Sequence, residues 1–256
     1  MSIAMLISGL ITGLLLGIFG SGGSIVTTPA LLYLLDVEAK SAIAMSLGIV
    51  AVTATITALQ HWRWGNVNLK ITAVFGVFGV IGTYAGALLG VITPTVIQLT
   101  IFALVMYAAA YKMLKPKHKS AGAAAVTDRV DSNGDELQYT HIAVHGIAVG
   151  ILTGIVGVGG GFLIVPALVL LSGLSMKQAV GTSLSIVALK SFAGFAGYAG
   201  VVDINYALMA GFTSIAIVGS VIGSLMSKRL PSRLLQRAFG LFLVFVASYI
   251  LYKSVL

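Results

Sequence analysis

Apolar residues run along this chain in long blocks, and the blocks set the elements. They cover about 3–20, 25–35, 41–61, 70–90 and 95–114, then 141–157, 162–172, 178–199, 206–227 and 233–252. A bilayer crossing takes about 20 consecutive apolar residues as a helix, so most blocks are long enough to cross. The blocks at 25–35 and 162–172 are not. Each follows a glycine cluster, Gly20-Ser21-Gly22-Gly23-Ser24 in the first case and Gly157 to Gly161 in the second. A continuous helix tolerates such clusters poorly, because each glycine costs about 1 kcal/mol relative to alanine. The pattern predicts an all-α polytopic membrane protein with a broken helix near each short block.

The two sets of blocks are copies. Displacing the sequence by 137 positions brings Gly9, Gly13, Gly17, Gly20, Gly22 and Gly23 onto Gly146, Gly150, Gly154, Gly157, Gly159 and Gly160. In the same register Pro29 meets Pro166, Ser46 meets Ser183, Asn68 meets Asn205 and Pro94 meets Pro231. Apolar residues match by chance in such a chain, but glycines, prolines and an asparagine in one ungapped register do not. The domains expected are a first repeat at 1–114, a polar linker at 115–140 and a second repeat at 141–256.

Two topologies are compatible with the broken helices. Either each crosses the membrane once despite its break, which gives parallel halves, or each folds back as a hairpin before three further crossings, which inverts the second half. Basic residues collect on the cytoplasmic side. The hairpin arrangement divides them 12 against 2, whereas the straight one divides them 8 against 6. The reading favoured is therefore two repeated four-segment halves, inverted, each starting with a glycine-broken helical hairpin, with both termini outside.

Composition changes the picture in one respect. With 58% hydrophobic and 9% charged residues the chain cannot build a water-exposed surface, and the bilayer becomes its main partner. The net charge of +8 is then accounted for by cytoplasmic loops rather than by nucleic acid. The absence of cysteine excludes disulfides, thiol nucleophiles and thiolate metal sites. The N-terminal apolar run lacks a charged n-region and reads as mature sequence.

Candidate chemistry centres on the glycine clusters. A break at membrane depth must be buried in protein or line a wet cavity. Its amides, at the start of the next helix, suit an anion. Paired breaks in two halves point to a transporter's binding site, although glycines also serve simply for close helix packing. Gly22, Gly23, Ser24, Gly159, Gly160 and Gly161 are the donors expected, with Ser183 as a hydroxyl and Lys190 as the basic residue deep within a span. His61 is a candidate for proton handling. Asn68 and Asn205 read as helix caps, and Trp62 and Trp64 as interfacial anchors. The glycines follow no strand and no Lys-Ser or Lys-Thr pair follows them, so phosphate-loop and dinucleotide readings fail. Asp36, Glu38 and Asp203 fall at span ends and the remaining acidic residues in the linker, which favours anionic over cationic cargo. No catalytic constellation, cofactor or metal site is expected, so the chain does not read as an enzyme.

The runs GLLLGIFGSGGSIVTTPALL and GILTGIVGVGGGFLIVPALV, opening two halves joined by a polar loop, resemble the TauE/SafE family of sulfite and organosulfonate transporters. The pattern G-x-G-G-G-x-x-x-x-P of that resemblance stands at Gly157 to Pro166, and the first copy departs from it at Ser24. The resemblance implies a multi-pass protein of the cytoplasmic membrane. Its cargo would be a small sulfur-containing anion such as sulfite, thiosulfate or an organosulfonate, with coupling to the proton gradient. An anion channel of the same architecture is the alternative, and a homo-oligomer is left open.

Overall fold

In the computed structural model, residues 3–21, 23–92, 95–115, 134–156, 161–198 and 202–255 are described. They form ten helices: α1 (Ile3–Phe19), α2 (Gly23–Tyr33), α3 (Ala39–Arg63), α4 (Leu69–Ile92), α5 (Thr95–Leu114), α6 (Gly134–Val156), α7 (Gly161–Leu170), α8 (Met176–Tyr198), α9 (Tyr206–Arg229) and α10 (Ser232–Val255). Among the described residues four helices are long and apolar enough to cross a membrane, within Lys40–Arg63, Leu69–Gly86, Met176–Tyr198 and Tyr206–Arg229. Shorter apolar helices occupy Ile3–Phe19, Ala103–Leu114 and His141–Leu152. Large apolar side chains such as Tyr84, Leu241 and Phe245 are exposed, as lipid contact requires. The molecule is a multi-pass membrane protein. One boundary differs from the polar pattern: α6 begins at Gly134, inside the stretch read as linker.

The helix ends follow from local chemistry. The side chain of Asn205 accepts from the Leu208 N–H at 3.0 Å, and that of Asn68 from the Ile71 N–H at 3.1 Å, as caps do. Beyond α2, Asp36 takes a left-handed conformation (φ 51°), and beyond α7, Gly173 does the same (φ 68°). At the first turn Val37 N–H reaches Leu31 O at 3.0 Å, and at the second Leu174 N–H reaches Leu168 O at 3.1 Å. Each pair of positions is 137 apart. With 11 and 10 residues, α2 and α7 are only about 15 Å long, half of a bilayer's hydrocarbon core.

The chain packs as two compact units that cut across the repeat boundaries: residues 1–72 with 177–230, and residues 73–176 with 231–256. In the first unit α1 lies along α9, and both run in the same direction. Gly9 faces Ile215, Gly13 faces Ala216 and Gly17 faces Ser220 and Ser224. A Cβ at Gly13 or Gly17 would collide with the backbone of α9, and one at Gly219 or Gly223 with that of α1, so only glycine permits this approach. The helices α3 and α8 of this unit run in opposite directions, since Gly181 meets His61 while Gly194 meets Leu47. Its core joins Met5, Leu31, Met45, Ile49 and Phe212.

The second unit repeats these relations with other helices. The helices α4 and α6 run in the same direction, Gly82 against Ile147 and Gly86 against Ile151. The helices α5 and α10 run oppositely. The Gln236 side-chain N–H donates to Met113 O at 3.2 Å, and the Tyr107 hydroxyl lies 2.7 Å from Ser248 Oγ.

Candidate functional site

The first glycine break lies wholly within the first unit. The Gly20 N–H donates to Leu16 O at 2.8 Å, and its φ of +75° turns the chain out of α1. An L-residue in that conformation costs about 1–2 kcal/mol, and a Cβ there would also strike Val180, whose carbonyl oxygen would lie 2.8 Å away. Ser21 follows, fully buried, and its hydroxyl has no hydrogen-bond partner. The next helix, α2, then begins at Gly23, which is packed against Leu16. Its first turn presents N–H groups that no preceding carbonyl of the helix can accept.

One helix reaches this break, and two other segments pack on that helix beside it. The helix α8 brings Ser183, whose buried hydroxyl donates to Gly20 O at 3.1 Å. One residue earlier Thr182 accepts the Asn68 N–H at 3.1 Å. Gly181 has no room for a Cβ because His61 and the Asn66 carbonyl press on it. His61 is 1% exposed and neither ring nitrogen has a hydrogen-bond partner; its ring meets Trp64 edge-on at 5.1 Å. Lys228 Nζ stands 4.6 Å over the Trp64 ring, at the range of a cation–π contact.

A line of polar groups runs back along α3 from His61. Thr53, Thr57 and His61 are four residues apart and all are buried, so they share one face of the helix. Thr57 Oγ1 lies 2.8 Å from Thr53 O and 3.0 Å from Ser220 Oγ of α9. Ser224 donates to Gln60. The hydroxyls of Thr53 and Thr12 are buried without a partner. Buried polar groups are normally satisfied. Four residues of this unit, Thr12, Ser21, Thr53 and His61, depart from that rule.

Not every residue named from the sequence meets here. Gly23 opens α2, Ser24 sits in its first turn, and Ser183 reaches the break. Lys190 lies seven residues beyond Ser183 on α8, about 10 Å along the axis, and is partly exposed. Gly161 opens α7 in the second unit. Gly22, Gly159 and Gly160 lie outside the described residues. Of the Thr53–Thr57–His61 face only His61 was read from the sequence, and the Ser220–Ser224 pair was not, although polar residues at a spacing of four on an apolar helix carry that signal. The described residues contain no cluster of His, Cys, Asp and Glu able to hold a metal.

Comparison with known proteins places this arrangement in a family. The family model for the sulfite exporter TauE/SafE matches residues 5–250. A probable membrane transporter protein of Xylella fastidiosa (strain Temecula1) is 31% identical over 251 residues, covering 96% of this chain and 94% of its own. The probable membrane transporter protein YunE of Bacillus subtilis is 25% identical over 272 residues, covering 99% and 98%. No solved structure matches the chain significantly. With a match over nearly its whole length, the chain belongs to the TauE/SafE sulfite exporter family of membrane transporters.

Proposed function

We propose that the protein is a secondary carrier that moves a small sulfur-containing anion (sulfite, thiosulfate or an organosulfonate) across the cytoplasmic membrane, coupled to the proton gradient. The observation that carries this reading is the buried, unpartnered Ser21 hydroxyl between the left-handed Gly20 and the start of α2. A hydroxyl donor beside the first-turn N–H groups of α2 suits an oxyanion. Gly22 is proposed as a further donor and Lys190 as positive charge further along α8, while Gly159 to Gly161 are proposed as the donors of a corresponding site in the second repeat. On the same helix Ser183 holds the break in shape through Gly20.

The inverted arrangement belongs to the same reading. Equivalent helices of inverted halves must run oppositely, and α3 runs opposite to α8 while α5 runs opposite to α10. A straight-through α1–α2 would make each of those pairs parallel. The paired left-handed turns at Asp36 and Gly173 support the duplication itself. His61, buried with both nitrogens unpartnered, is the group proposed to handle the coupled proton.

Flux in proteoliposomes tests the proposal. Sulfite, thiosulfate and taurine are offered with and without an imposed proton gradient, using the wild type and Ser21→Ala. Saturable, gradient-dependent flux of one of these anions is expected, with a weakened apparent affinity in Ser21→Ala. Ohmic, gradient-independent flux would replace the carrier with a channel, and unchanged flux in the variant would remove Ser21 from the site.

A further inference from the structure

Between α3 and α8 the first unit carries an open groove of about 320 Å³, within the usual range for ligand sites. Its floor is made of small buried residues, Ala58, Ala188 and Thr72. Its rim is made of large apolar ones, with Trp62 55%, Leu69 57%, Leu189 59% and Phe192 47% exposed. Three hydroxyls line it, and each is turned back onto its own helix. Thr55 donates to Ala51 O at 2.7 Å, Thr72 to Asn68 O at 2.9 Å and Ser185 to Gly181 O at 3.3 Å. With these hydroxyls turned inward, and only the Trp62 indole N–H left at the rim, the groove presents mainly hydrocarbon contacts.

The 137-residue register explains why the groove exists. At the other end of the α3–α8 pair, the space over Gly48 is filled by the Phe195 ring and the Met209 sulfur, 3.1 and 2.9 Å from where a Cβ would stand. The corresponding residues at the groove are Ser185, Ala58 and Thr72. A phenylalanine and a methionine are thus replaced by an alanine and a threonine, and their volume is left open.

The groove does not end in hydrocarbon. Val67 and Leu69 are shared with a second pocket of about 470 Å³ lined also by Gly65, Asn68, Lys70 and Gln178. An apolar slot opening onto a polar, cationic mouth complements a molecule with an acyl chain and a negatively charged head. A second copy of the chain is a poorer match, because an isologous contact sets the same patch against itself and would set two Lys70-bearing faces against each other.

We propose that this groove binds one anionic phospholipid, with an acyl chain over Ala58 and its phosphate at Lys70. The test compares the wild type with Ala58→Phe, which copies the filled end, and with Lys70→Gln, an exposed change that leaves packing alone. Each protein is taken from nanodiscs holding equal dioleoyl phosphatidylglycerol and dioleoyl phosphatidylcholine, and the retained lipid is read by native mass spectrometry. The wild type should keep one phosphatidylglycerol. Ala58→Phe should lose it while elution volume and helix content stay unchanged, and Lys70→Gln should lower the preference for phosphatidylglycerol at least several-fold. Should Ala58→Phe misfold, Lys70→Gln decides alone. Retention by Ala58→Phe equal to wild type, or no headgroup preference in the wild type, overturns the proposal. A wild-type dimer that Ala58→Phe converts to monomer assigns the groove to a second copy instead.

Discussion

Gly20 and Ser21 are adjacent, yet they call for different measurements. Gly20 is a matter of stability: replacement by alanine adds the left-handed cost of about 1–2 kcal/mol and a contact with Val180. The melting temperature in detergent should fall accordingly. Ser21 is a matter of binding. A hydroxyl bonded to an anion contributes about 1.5–3 kcal/mol, so Ser21→Ala should weaken apparent affinity about ten- to a hundred-fold with little change in melting temperature. For His61, His61→Gln keeps the size and polarity but cannot take up a proton; it should flatten the dependence of flux on the proton gradient, and an unaltered dependence would remove His61 from coupling.

These residues also mark how far sequence reaches. The break and Ser183 were legible because glycine clusters and their repetition are local patterns. The roles of Thr57 and Thr55 were not. Both stand on one apolar helix two positions apart. Thr55 bonds only its own turn, whereas Thr57 meets Ser220 of α9. A hydroxyl in a helix can satisfy itself on the preceding turn, so only tertiary burial tells the two apart.

At the scale of elements, the apolar blocks located the helices to within a few residues, 41–61 against Ala39–Arg63 for example. The start of α6 was the exception, because Gly134 to Thr140 are polar and nothing in hydropathy marks where a helix leaves the bilayer. Glycines within the helices fall into two classes that composition cannot separate. Gly17 lies against the α9 backbone, while a Cβ at Gly76 would meet nothing within 4 Å. Gly17→Leu should therefore abolish recovery of folded, monodisperse protein. Gly76→Ala should be tolerated or stabilise by about 0.4–1 kcal/mol through the lower entropy of the unfolded chain. Paired thermal melts of the two variants check both expectations.

For the whole molecule, the inverted reading would place twelve basic residues on one side against two on the other, and it carries a topological prediction. Reporter fusions at positions within 116–133 should be active on the cytoplasmic side, and fusions at either terminus on the outer side. An external linker would reverse the inverted-hairpin assignment.

The glycine seam between α1 and α9 also bears on how the chain is made. Gly13 and its neighbour Ala216 are 203 positions apart. Translation proceeds at roughly 5–20 residues per second, so α1 enters the membrane about 10–40 s before its partner helix exists. During that interval its glycine face has no α9 to pack against. A helix that must wait in this way does not need its partner on the same polypeptide. Residues 1–120 and 121–256 expressed as separate chains should therefore reassemble into active protein, as flux in cells carrying both halves but neither half alone would reveal.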